Sequence, residues 1–203
     1  MFKLLGPLTL VALLLGGCAG PRRASPPTLA PLRAEQEVFW AGLLALCGRA
    51  FEGRVVEGAP SDTAFAGKRL VMHVRACALG EVRVPFHVGA DRSRTWVLTR
   101  TAAGLRLKHD PRHADGAEDA VTQYGGSTDS SGTPTRQRFP ADAFTAALLP
   151  AAATNVWIVE LVPGRTFAYA LRRASTGRRF RVEFDLTRPV APPPPPWGSE
   201  GAR

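Results

Sequence analysis

Between Lys68 and Leu186, apolar and polar residues alternate in short runs, the period of β-strands with one buried face. In KRLVMHVRAC, Leu70, Met72, Val74 and Ala76 share one side, and Val71, His73 and Arg75 the other. In EVRVPFHVG, Val82, Val84, Phe86 and Val88 oppose Arg83, Pro85 and His87. Ala78-Leu79-Gly80 between them is short enough for a hairpin. SRTWVLTRT and GLRLKHD form a second hairpin, turning at Ala102-Ala103-Gly104. NVWIVELV, TFAYALRR and RRFRVEFDL add three strands, the last two joined by ASTG, and AFEGRVVEG precedes all of these. One segment departs from the pattern. In AEQEVFWAGLLALCG, Val38, Phe39, Ala41, Leu43, Leu44 and Cys47 follow helical spacing, which predicts a helix over 35–48 that stops at Gly48. The chain is therefore expected to be mainly β: an antiparallel meander of about eight to ten strands, forming a barrel or a sandwich, with one N-terminal helix.

The two ends of the chain read differently. MFKLLGPLTLVALLLGGC joins a basic start at Lys3 to an apolar run from Leu4 to Leu15, too short for a permanent span and shaped like an export signal. Leu15, Gly16, Gly17 and Cys18 resemble the lipobox of bacterial lipoproteins. That resemblance implies acylation of Cys18, which becomes the new N-terminus, and anchoring in a lipid bilayer. Ala19, where an acid would signal inner-membrane retention, implies an outer-membrane address in the cell envelope, facing the periplasm. The expected organisation is a signal peptide at 1–17, a Pro/Arg/Ala-rich tether at 18–34 and a single β-rich domain at 35–188. A non-globular tail at 189–203 follows, with five consecutive prolines at Pro192–Pro196. The strand pattern loosely resembles the lipocalin-like architecture. AFEGR carries the glycine of that superfamily's Gly-x-Trp signature without its tryptophan.

Cysteine usage suits an oxidising compartment. With Cys18 assigned to lipid, Cys47 and Cys77 remain, an even pair expected to form one disulfide tying helix to strand, with two buried thiols as the alternative. The formal net charge is +9, and only Lys3, Lys68 and Lys108 of the basic residues are lysines. Nine Lys/Arg lie in 68–108 against Glu81 and Asp91, and seven Arg lie in 165–188 against Glu183 and Asp185. The export signal and the lack of an aromatic-interleaved basic motif argue against nucleic acid. In an envelope, arginines meet lipid phosphates, acidic glycans or water.

The charge reverses at HDPRHADGAED, residues 109–119, where Asp110, Asp115, Glu118 and Asp119 stand against Arg112 alone. His109 and His113, four apart, with Gly116 and Asp119 following, resemble the zinc helix of the metzincin proteases, with Asp110 in place of glutamate. Three features oppose a protease. His109 ends an alternating strand, Pro111 interrupts any helix through the motif, and no methionine follows to make the Met-turn. An EF-hand aligned on Gly116 also fails, because Pro111 and Thr122 stand where acids are needed. Two readings stay open. One is a hard-cation site, calcium rather than zinc, drawn from His109, Asp110, His113, Asp115, Glu118 and Asp119. The other is a solvated acidic loop paired with arginines.

His73, Arg75, Arg83 and His87 share the polar face of the first hairpin. Turned inward, that face is an anion pocket; turned outward, a solvated wall. Gly125 to Gly132 reads as a mobile loop, since its serines lack a nucleophile elbow. The expected function is binding of a small molecule, lipid or glycan by an anchored barrel. The alternatives are a metal-dependent hydrolase using 109–119 and a non-enzymatic envelope assembly factor.

Overall fold

The computed structural model describes residues 29–59 and 62–199. Cys18, the signal peptide and most of the tether lie outside the described residues. The elements are helix α1 (Ala34–Leu44), strands β1 (Ala50–Glu57), β2 (Leu70–His73), β3 (Ala76–Ala78), β4 (Glu81–Val88), β5 (Asp91–Thr101), β6 (Gly104–His109), β7 (Gly125–Ser127) and β8 (Arg136–Pro140), helix α2 (Ala143–Leu148), and strands β9 (Asn155–Val162), β10 (Thr166–Arg173) and β11 (Arg178–Val190). Every strand pairing is antiparallel, in the order β7-β6-β5-β4-β2-β1-β11-β10-β9-β8, with β3 on β4. The sheet curls until its two edges meet as a nearly closed barrel, so the barrel, and not the sandwich, is the fold.

The alternation in sequence decides what faces inward. Val82, Val84, Phe86 and Val88 of β4 are buried, as are Leu105 and Leu107 of β6 and Phe180, Val182 and Phe184 of β11. Burying so many large side chains, each worth about 1.5–3 kcal/mol, is the main stabilisation of the barrel. β3 breaks the simple alternation. Met72 pairs with Phe86 but Ala76 pairs with Arg83, a one-residue slip in register. The slip places Cys77, not Ala76, opposite inward-facing Val82. Cys77 thereby reaches Cys47 and forms the disulfide, with Cα atoms 6.3 Å apart.

Helix α1 closes one end of the barrel. Phe39, Trp40 and Leu43 join the core, and Gly42 packs on Leu161 near the end of β9. Glu35 and Glu37 in its first turn suit the helix dipole, and Glu37 also holds Arg100 at 2.5 Å. The predicted helix stops earlier than Gly48 because the chain turns at Ala45, and Gly48 takes a left-handed φ of 79° before β1 begins. Two buried glutamines pin the neighbouring loop. Gln36 donates to Thr128 and Ser130, and Gln137 donates to the carbonyls of Ser131 and Thr133.

Two expectations need correction. Gly125–Ser127 is a strand, so the supposed mobile loop is part of the barrel edge. The tail expected to be free from 189 is built into the domain as far as Ser199. β11 runs on to Val190, paired with Ala50. Residues 191–199 then cross the outer wall, where Arg92 donates to the Pro195 carbonyl at 2.8 Å and the Trp197 amide donates to the Arg92 carbonyl. Proline lacks the amide a strand must pair and is already stiff in an extended form, so it can lie flat on a sheet without joining it.

Candidate functional site

The end of the barrel opposite α1 holds a cavity of about 330 Å³. It lies where β4, β6 and β10 end and β5, β9 and β11 begin, with the 110–124 loop and Leu149 and Ala152 at its side. The walls are aromatic. Phe86 stacks on Trp96 at 5.0 Å, Trp96 on Tyr169 at 4.3 Å, and His109 on Tyr124 at 4.2 Å. Trp157, Phe180 and Phe65 also line the cavity.

His109 organises the floor. It ends β6 as the alternation predicts and points inward. Its Nδ1 lies 3.1 Å from the Tyr124 carbonyl, which can only accept, so Nδ1 carries the proton. Nε2 then accepts from the Tyr169 hydroxyl at 2.7 Å. Burial depresses the His109 pKa to about 4 and raises that of Tyr124 to about 12, and burial likewise pushes the Tyr169 hydroxyl well above its usual range. All three are neutral near pH 7. The Tyr169 oxygen keeps lone pairs that a ligand hydroxyl or amide can use.

Three arginines line the cavity, but they are not equivalent. Arg94 is held by Asp91 and Arg178 by Asp62. Arg173 donates to the neutral Asn155 side chain at 2.8 Å and has no carboxylate partner among the described residues. Among the described residues it is the one lining cation whose charge stays available to an incoming anion.

The residues singled out from sequence fall elsewhere. His73, Arg75, Arg83 and His87 lie on the outside of the barrel, because Met72 and Val82, Val84 and Phe86 take the inside. The expected interior anion pocket is therefore not formed. Arg83 is neutralised by Glu81 and by Asp110 at 3.1 Å, and Arg75 donates to the Ser199 carbonyl. His87 lies beside Pro192–Pro194 of the tail. Burial first, then the charge of Arg92 and of His73, lowers its pKa to about 4. His73 shifts the same way through burial and Arg75.

The 109–119 cluster is dispersed. His109 points into the barrel, while Asp110, next along the strand, faces out and binds Arg112 at 2.8 Å as well as Arg83. Glu118 pairs with Arg112, Asp115 accepts from the Ala117 amide, Asp119 accepts from the Val121 amide, and His113 is exposed. No group of three metal-ligating side chains converges among the described residues. Of these acids Asp110 and Glu118 are paired with arginines, and Asp115 and Asp119 cap turns of their own loop. Two outcomes follow. Millimolar calcium should leave Tm unchanged in a thermal melt. Asp110→Asn should cost about 1–3 kcal/mol, because Arg83 and Arg112 lose charge-assisted bonds to a buried carboxylate. A calcium-dependent rise in Tm that Asp115→Ala removes would restore the cation site.

Sequence reasoning missed Trp96, Trp157, Tyr169 and Arg173. Each sits in an ordinary strand pattern, and only barrel closure brings them together. No family model, no curated protein and no solved structure matches this chain.

Proposed function

We propose that the protein is a lipid-anchored binding protein of the bacterial outer membrane, facing the periplasm, and that its barrel holds a small amphiphilic molecule. The ligand has a flat or apolar body that lies among Trp96, Trp157, Tyr124 and Phe86 and an anionic group that meets Arg173. The observation that carries this reading is the aromatic cavity at the open end, with one cation that no carboxylate among the described residues neutralises. Its volume stands near the lower end of the roughly 300–1,000 Å³ typical of ligand sites, which points to a compact ligand, not a long acyl chain. The anchor rests on Leu15 to Cys18 and on the apolar run before them. Among the described residues no helix is long and apolar enough to cross a membrane.

Anilinonaphthalene sulfonate combines an aromatic body with a fixed anion and serves as the probe. One molecule per chain should bind with enhanced emission and quench tryptophan fluorescence. Arg173→Glu should weaken binding by about 10- to 100-fold, the worth of a hydrogen bond to a charged group. Leu171→Trp, which fills the cavity from β10, should abolish it. Wild-type protein that leaves the dye dark, or an Arg173→Glu protein that binds it as tightly, would reject the proposal.

A further inference from the structure

The outer face of α1 is the anomaly in an otherwise charged surface. From Val38 to Gly48 the helix and its closing turn carry no charged side chain. Phe39, Trp40 and Leu43 face the core, yet Ala34, Val38, Ala41, Leu44 and Ala45 are exposed. A helix lying on a water-facing surface ordinarily turns charged residues outward, and one apolar all round is ordinarily covered. The exposed large hydrophobics of the described residues concentrate here. Val38 (57%), Leu44 (38%), Leu79 (65%) and Val162 (41%) all belong to this end of the barrel, leaving only Val56 and Phe144 elsewhere.

The four are tied to one end by contacts. The Cys47–Cys77 disulfide joins the turn after α1 to β3, whose hairpin carries Leu79. Gly42 of α1 packs on Leu161, the neighbour of Val162. The chain also leaves the described domain here, since the Leu29 side chain packs on Gly80, beside Leu79. Cys18 lies eleven residues upstream of Leu29. At ~3.6 Å per residue a fully extended link spans no more than about 40 Å, so an anchored Cys18 keeps this end near the bilayer. Arg22, Arg23, Arg33 and Arg49 flank the apolar face in sequence, against Glu35 and Glu37, the latter held by Arg100. Basic residues beside an apolar patch suit a surface of anionic headgroups.

From these observations we infer that the apolar face of α1, with Leu79 and Val162, docks on the anionic lipid surface that holds the anchor. The inference rests on the lipid-anchor part of the reading above. In this pose the helix-capped end lies against the membrane and the cavity mouth, at the other end, opens toward the aqueous compartment. A ligand then enters from water and not from the lipid.

The test uses full-length acylated protein in vesicles of phosphatidylethanolamine and phosphatidylglycerol. Single thiols are placed by Val38→Cys and Leu79→Cys and, at the opposite end, by Ser175→Cys, then labelled with an environment-sensitive fluorophore. All three sites are exposed, so the substitutions leave the core intact. The expected result is a blue shift at 38 and 79, with quenching by spin-labelled lipid, and neither effect at 175. Protein that floats with the vesicles while 38 and 79 stay as water-exposed as 175 overturns the docking and leaves the anchor standing. A shift that grows with protein concentration and needs no lipid assigns the face to a second copy and also overturns it. If mass spectrometry finds the exported protein unacylated at Cys18, the anchor is removed. Flotation of that protein with 38 and 79 shifted still upholds the docking, whereas the absence of both flotation and shift removes the docking as well.

Discussion

Gly126→Ala is expected to open the barrel, with a loss of about 3 kcal/mol or more. Strands β7 and β8 are the two edges of the sheet and share no ladder. Their junction depends on close backbone approach. A Cβ added at Gly126 would stand 1.7 Å from the Pro140 carbonyl oxygen, and that oxygen belongs to backbone that no rotamer change can move. Thr145 of α2 completes the seam. Its hydroxyl accepts from the Gly125 amide and donates to the Gly125 carbonyl, both at 2.7 Å. The Asp142 amide bonds the same carbonyl at 3.0 Å, and the Asp142 carboxylate caps α2 and pairs with Lys108 of β6. Thr145→Val keeps the shape but leaves the Gly125 amide without a partner, which should cost about 1–3 kcal/mol. Urea unfolding of the two variants measures both effects. A Gly126→Ala protein within ~0.5 kcal/mol of wild type would show that the edges are not joined as described.

The second large effect is expected in acid. His109 is neutral and buried, with its pKa lowered from 6.5 to about 4, first of all by burial. The unfolded chain, with a histidine pKa of about 6.5, binds this proton more readily than the folded one. Stability from His109 is therefore fully present above about pH 6.5, falls as the pH drops toward 4, and changes no further below it. At ~1.4 kcal/mol per unit, the window carries on the order of 3 kcal/mol. His87 acts in the same direction. The measurement is the free energy of unfolding at several pH values between 7 and 4, for wild type and for His109→Gln. The variant should lose much of the slope while keeping hydrogen-bond capacity toward Tyr169. Equal slopes in the two proteins would mean that His109 is reached by water and titrates normally.

Much of the architecture is readable along the chain because its cause is local. Alternation at 70–74, 82–88, 105–109 and 178–186 marks which side chains share a face, since successive strand residues point to opposite sides. His109 was placed correctly at a strand end by the same rule, and Pro111 correctly ruled out a helix there. The pairing of Cys47 with Cys77 follows the expectation from cysteine count, and the slip in register at β3 is what brings the two together.

The sequence by itself thus determined most of the strands, the N-terminal helix and which side chains of a strand share a face, because the alternation of a strand is local. Tertiary structure alone decided the rest. Whether the polar face of the first hairpin lined a pocket depended on which way the sheet curled, and the larger apolar side chains took the inside. Whether the acids of 109–119 met a cation depended on where Arg83 and Arg112 lay, and those arginines reach Asp110 and Glu118 first. Whether Pro192–Pro196 hung free depended on a wall with carbonyl-seeking Arg92 to lie against. The cavity is the fullest case. Trp96 of β5 lies far in sequence from Trp157, Tyr169 and Arg173 of the β9–β10 hairpin, and no local pattern records a space that exists only when the edges of a sheet meet.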